Sequence, residues 1–206
     1  MTGGPARDPV TDHLLTPQNA ALVVIDYQAN QLQAVTSMDG ELLIDNIVSV
    51  ARLAKTFDLP VVLSTVNVAD GQPPTIAELK AVLCDSPEID RTEINPWENG
   101  AVRAAVEGTS RQKLVMAGLW TEVSLALLAL DALRDGYEVY PVVDAVGGTS
   151  AEAHHAALER IVQAGAHPIS WMSLGCELQR DWARVETVAD VVDIVMTTRM
   201  GGLPCD

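Results

Sequence analysis

Four short apolar runs constrain this chain more than any other feature. They are "AALVVIDYQ" from Ala20, "PVVLSTV" from Pro60, "KLVMAGL" from Lys113 and "YEVYPVVDAV" from Tyr137. They are rich in aliphatic and β-branched residues and do not alternate with polar ones. Each therefore predicts a strand buried on both faces, as in a parallel sheet. Helical periodicity fills the intervals between them. "ELLIDNIVSVARLAKTFDLP" has apolar residues at helical spacing and stops at Pro60, and "TIAELKAVL" is a shorter helix. "NPWENGAVRAAVEG" opens another, with Asn95 as its cap and Pro96 in the first helical position. "TEVSLALLALDALRDG" closes at Gly136, and "SAEAHHAALERIVQAG" starts from Ser150 as cap. "HPISWMS" is a candidate last strand and "CELQRDWARV" a helix start. The alternation predicts one α/β domain over residues 1–206, a parallel sheet with helices on both faces. Residues 1–18 read as a polar lead-in and 198–206 as a tail. Residues 66–95 are Pro-rich and irregular, a kind of stretch that often forms a lid or a subunit contact.

Composition narrows the function. With 48% hydrophobic but only 4% aromatic residues, Ala, Val and Leu must fill the core. The chain has 13 basic and 28 acidic residues, a net charge of −15. Such a surface repels nucleic acid and anionic membrane, so neither is an expected partner. No apolar run reaches the roughly 18 residues of a membrane span, and the first residues lack the apolar stretch of a secretory leader. Cys84, Cys176 and Cys205 are odd in number and widely spaced, which suggests reduced thiols and a cytoplasmic location. No Cys-x-x-Cys or His-x-x-x-His spacing offers a metal site, and the adjacent His154 and His155 cannot share a helix face. The glycines form neither a G-x-G-x-x-G nor a P-loop, so no nucleotide is expected and no cofactor is called for.

Ligands of parallel α/β sheets bind at the carboxyl ends of the strands. Asp26 ends the first apolar run. Ser124 follows "KLVMAGL" in the first turn of a helix, whose free N–H groups suit an anion. Arg91 lies in the irregular segment. A carboxylate, a cation and a small hydroxyl residue at a helix N-terminus form a pattern suited to acyl transfer. On pattern alone, Asp26 is equally a helix cap and Ser124 a small helix residue.

The segments "ALVVIDYQ", "IDRTEINPWEN", "LVMAGLWTEVSLALLALDAL", "GYEVYPVVDAVGG" and "GCELQRDW" together resemble the isochorismatase-like superfamily of cysteine hydrolases, most closely its YcaC-like branch. The resemblance runs from about Ala20 to Trp182. It implies a six-stranded parallel sheet flanked by helices and a homo-oligomer, tetrameric or octameric. It implies hydrolysis of a small amide or related C–N bond by an Asp, Lys/Arg and Cys triad. The aspartate falls on Asp26, the basic residue on Arg91 and the nucleophile on Ser124, where this chain departs from the family's cysteine. It further implies a cis peptide bond between Trp120 and Thr121, with the N–H groups of Thr121 and Ser124 facing an oxyanion, and a pocket lined by Gln28, Asn95, Trp97 and Trp120. No metal is expected, because the metal-carrying nicotinamidase relatives use histidines after the second strand, where this chain reads "STVNVADGQPP".

Serine at position 124 changes the chemistry. A free thiol has a pKa near 8.5, which a neighbouring cation lowers. A serine hydroxyl is far less acidic and normally needs a histidine base. His154 and His155 are the candidates to supply one. Three readings of Ser124 stand at this point: an introduced Cys→Ser change, a natural homologue that binds without turnover, or non-covalent chemistry of the isochorismatase kind. Cys176, in "GCELQRDW", reads as a structural thiol near the pocket or an interface.

Overall fold

A computed structural model describes residues 7–198. Residues 1–6 of the lead-in, Cys205 and all of the expected tail but Thr198 lie outside the described residues. Five parallel strands form one sheet: β1 Ala20–Ile25, β2 Val61–Val66, β3 Glu88–Arg91, β4 Lys113–Leu119 and β5 Glu138–Gly147, in the order β3-β2-β1-β4-β5. Every residue of β1 and β4 is buried. Their side chains alternate between two cores: Ala20, Leu22 and Val24 enter one with Val115 and Ala117, and Ala21, Val23 and Ile25 enter the other with Leu114 and Met116. Burial on both faces accounts for the uninterrupted apolar runs.

The helices cover both faces. α1 Ala29–Gln33 is a short turn after β1. α2 Gly40–Thr56 starts on Asp39, whose side chain accepts from Leu42 N–H at 2.9 Å. It buries Leu43, Ile47, Val50, Ala51 and Ala54 at helical spacing. α3 Ala77–Val82 packs against it, as does α7 Trp171–Gln179. α8 Val188–Thr198 lies on α2 and α7. On the other face lie α4 Gly100–Gly108, α5 Ala126–Arg134 and α6 Ala151–Gln163. The expected helix caps are present at Asn95 and Ser150, whose side chains accept from Trp97 N–H and Ala153 N–H. The helix expected from Asn95 is split: a 3-10 turn covers Pro96–Glu98, and Asn99 starts α4 by accepting from Ala101 and Val102.

Two expectations are corrected. The expected helix "TIAELKAVL" is present as α3, but the irregular segment 66–95 also contains the edge strand β3, which pairs Ser64 with Ile89 and Val66 with Arg91. The expected sixth strand is reduced to one bridge between Val142 and Ile169. Ile169 N–H donates to Pro141 and Val143 N–H to Ile169, but Pro168 offers no donor and α7 starts at once from Ser170. The described part of the lead-in packs onto the domain. Leu15 is fully buried, and the Lys113 ammonium donates to the carbonyls of Asp12 at 2.8 Å, His13 at 2.7 Å and Leu14 at 3.3 Å.

Strand order positions the site. The chain builds β1, β2 and β3 outward in one direction, then returns to lay β4 against the other side of β1. Their carboxyl ends therefore flank the switch point, the place where open α/β sheets bind their ligands. Gly118 holds the two strands close there: a Cβ on it would stand 2.9 Å from the Ile25 Cβ.

Candidate active site

Asp26 follows β1 with φ 56°, a left-handed conformation uncommon for a residue with a side chain. Its N–H donates to Ser64 O at 2.9 Å, and its carbonyl accepts from Gln28 N–H at 2.7 Å. This sharp turn aims the carboxylate across the carboxyl ends of the strands. Arg91 ends β3, two strands from β1. At about 4.8 Å per strand it must cross nearly 10 Å, a span suited to a long side chain. It passes over Ser64 of β2, donating from Nε to Ser64 Oγ at 3.2 Å. Nη1 donates to the Glu93 carbonyl and Nη2 to Asp26 Oδ2. Nη2 also reaches Ser124 Oγ at 3.4 Å. Asp26, Arg91 and Ser124 are 1%, 3% and 7% exposed, so the three groups meet away from bulk water.

The third group arrives from β4. The chain leaves Leu119 and forms a π-helical turn over Thr121–Leu125 before α5. Within it the Trp120 carbonyl accepts from Val123 N–H at 3.0 Å and Leu125 N–H at 3.4 Å, the second reaching back five residues. The cis peptide bond lies between Leu119 and Trp120, not between Trp120 and Thr121 as expected.

Burial pushes the Asp26 carboxyl above its ordinary range, and the Arg91 cation pulls it back. Among the described residues, Asp26 Oδ1 is buried without a hydrogen-bond partner.

The pocket-lining residues divide. Trp120 donates from Nε1 to Gln31 O at 2.8 Å beside the turn, and Thr121 begins the turn itself. Gln28 is turned to backbone partners. It is fully buried with its amide committed to backbone: Oε1 accepts from Val66 N–H at 2.8 Å, and Nε2 donates to Val66 O at 3.1 Å and Pro73 O at 2.6 Å. Asn95 and Trp97 are drawn away as well, to the far half of α5. Asn95 Nδ2 donates to Asp131 at 2.7 Å and Trp97 Nε1 to Asp135 at 2.7 Å. These two residues fix the segment after Arg91 instead of facing the triad.

Neither His154 nor His155 hydrogen-bonds the Ser124 hydroxyl. His154 Nδ1 shares a hydrogen bond with Thr121 Oγ1 at 2.9 Å, and the His155 ring packs edge-on against His154. Cys176 is exposed on α7. Two supporting residues escaped the sequence reading. Ser64 had a signal, as a polar residue in an apolar run. Asp90 had none: its carboxylate accepts from Val68 N–H at 3.0 Å and Ala69 N–H at 2.9 Å, holding the loop beside β3. Among the described residues no helix is long and apolar enough to cross a membrane, and no three His, Cys, Asp or Glu side chains group as a metal site.

Comparison with known proteins finds relatives of the same fold. The isochorismatase domain matches residues 20–173. The probable hydrolase YcaC of Escherichia coli is 37% identical over 169 residues, covering 82% of this chain and 81% of that one. The crystal structure of the E. coli YcaC gene product, an octameric hydrolase of unknown specificity, superposes with a TM-score of 0.85 at 34% identity, over 92% of this chain and 94% of its own. YcaC from Pseudomonas aeruginosa, with hexane-2,5-diol and covalent acrylamide, gives 0.84 at 32% identity, over 93% and 99%.

His154 sets a pH dependence. Its burial, and then the neighbouring His155, hold its imidazole below the ordinary pKa, against the opposing pull of Glu122. The unfolded chain therefore takes up this proton at a higher pH than the folded one. The stability associated with neutral His154 is present above the ordinary value and is lost as pH falls through about 6.5. Thermal unfolding measured from pH 7.5 to 5.5 will show a steeper fall in Tm for the parent than for His154→Asn. Parallel slopes would contradict this.

Proposed function

The chain belongs to the isochorismatase family of hydrolases, in its YcaC-like branch, and on that premise we propose that it acts on a small amide or related C–N bond. The observation that carries the proposal is the Arg91 guanidinium, which contacts both the Asp26 carboxylate and the Ser124 hydroxyl in a buried site at the switch point. In the proposed reaction Asp26 takes the proton of the group at position 124. The freed electron pair attacks the carbonyl carbon, and the C–N bond breaks as the nitrogen takes that proton from Asp26 and leaves. Water then cleaves the acyl-enzyme. The unpartnered Asp26 Oδ1 is the oxygen suited to hold the proton. N–H groups of the Trp120–Ser124 turn would face the carbonyl oxygen as it gains charge, a role worth several kcal/mol in enzymes that have it.

Serine weakens the first step. A carboxylate deprotonates a thiol far more readily than a hydroxyl, and the nearest histidine is committed to Thr121. The protein with Ser124 is therefore a slow form of a thiol-type site. No metal or other cofactor enters the proposal. Measured by ammonia release on one panel of small amides, Ser124→Cys should raise kcat/KM about 100-fold or more, and Asp26→Asn in that background should remove the gain. Equal turnover by the serine and cysteine forms would overturn nucleophilic attack from position 124.

We also propose a homo-oligomer, as described for E. coli YcaC. Ile94, Trp182 and Val185 support it: they are 65%, 60% and 76% exposed, and buried contact would remove this apolar surface from water. Multi-angle light scattering should give a mass several times that of one chain, and a monomer would contradict it.

A further inference from the structure

We infer that His154 is a positioning residue for the carbonyl-oxygen side of the site, acting through Thr121 on the turn that carries Ser124. The inference rests on the proposed function, since it assigns a task to the same turn. The turn depends on outside anchors. Its backbone is π-helical, and the bond from Leu125 N–H to Trp120 O is 3.4 Å long. Two consecutive side chains tie it to the segment that opens α6. Thr121 is fully buried, and its hydroxyl meets His154 Nδ1 at 2.9 Å. Glu122 Oε1 accepts from Thr149 N–H at 3.0 Å and from Thr149 Oγ1 at 2.6 Å.

The far side of this clamp is itself built to fixed dimensions. Ser150 caps α6, and its carbonyl accepts from His154 N–H at 3.0 Å, which sets the imidazole one turn into the helix. Gly148 is packed so closely that a Cβ would stand 2.7 Å from Glu122 Oε2 and 2.9 Å from His154 Cβ. Loss of the His154 ring leaves a buried Thr121 hydroxyl without its partner, on the residue whose N–H stands closest to the start of the turn. Displacements of about 1 Å in such a site can cost on the order of 100-fold in rate.

Two alkylating probes separate this role from general packing. Both are applied at pH 8 to the full chain carrying Ser124→Cys, with modification at position 124 followed by peptide mass mapping. Acrylamide forms an S–C bond at its terminal alkene carbon, and the alkene electron pair shifts toward the amide oxygen before the adjacent carbon takes a proton from water. That step develops negative charge on the amide oxygen, the kind of charge that N–H groups of the turn would stabilise. Iodoacetamide forms its S–C bond as iodide leaves, with no charge developing on the oxygen. Both reagents read the same thiolate, so their ratio cancels its population. The exposed Cys84 and Cys176 serve as internal references for each reagent.

Adding His154→Ala should slow acrylamide about 10-fold and leave iodoacetamide within about 2-fold, and His154→Asn, which keeps a polar group within reach of the Thr121 hydroxyl, should restore most of the loss. An unchanged ratio, or both rates falling together, would overturn the positioning role. If the Ser124→Cys thiol itself reacts no faster than Cys84 and Cys176 with either reagent, the proposed function fails first and this inference falls with it.

Discussion

The buried pair of Asp26 and Arg91 is the interaction on which the site depends. Both side chains are removed from water, and such a pair is weak support for stability because desolvation offsets much of the attraction. What compensates here is a full set of partners for the cation. Arg91 donates to Ser64, to the Glu93 carbonyl and to Asp26, while Asp26 keeps one oxygen without a partner. The pair therefore reads as a charge arrangement held for chemistry. Three strands must be in register for it to form: β1 to present Asp26, β2 to place a small Ser64 beneath the guanidinium, and β3 to launch Arg91. Ser124 joins from the fourth, across the tight β1–β4 contact that Gly118 permits.

Much of this was legible in the sequence because burial on both faces leaves a plain signature. The runs at Ala20, Val61, Lys113 and Glu138 all became strands, and Asn95 and Ser150 capped where their chemistry indicated. β3 was hidden because it is a four-residue edge strand, "EIDR", whose charged residues break the apolar pattern. Its Asp90 is spent on loop N–H groups and its Arg91 on the site, so its composition reflects those duties and not strand propensity. The last strand failed for the opposite reason: "HPIS" has suitable residues, but Pro168 and the Ser170 cap leave room for only one bridge.

At the site, Asp26 could be placed because the run that became β1 fixes where its strand ends, whereas Arg91, on the hidden β3, could be placed only through the resemblance. The lining residues could not be placed. Gln28, Asn95 and Trp97 sit beside site residues in sequence, yet their polar atoms are satisfied by the backbone of 66–73 and by α5. Sequence proximity does not say which way a side chain turns. The reverse holds for His154. It lies 33 residues from Thr121, too far for any local pattern to join them, and the β5–α6 connection brings them into contact.

Position 124 decides what the arrangement accomplishes. Arg91 and Asp26 together can stabilise an anion and accept a proton, which suits a thiol well and a hydroxyl poorly. The central claim is that the pair, and not a histidine, would activate a nucleophile there. The most direct test is the pKa of the thiol in Ser124→Cys, read from the pH dependence of its alkylation by iodoacetamide. The account predicts a value at least about one unit below the ordinary 8.5 of a free thiol. A value at or above 8.5 would mean that the buried pair does not activate this position, and the account would be wrong.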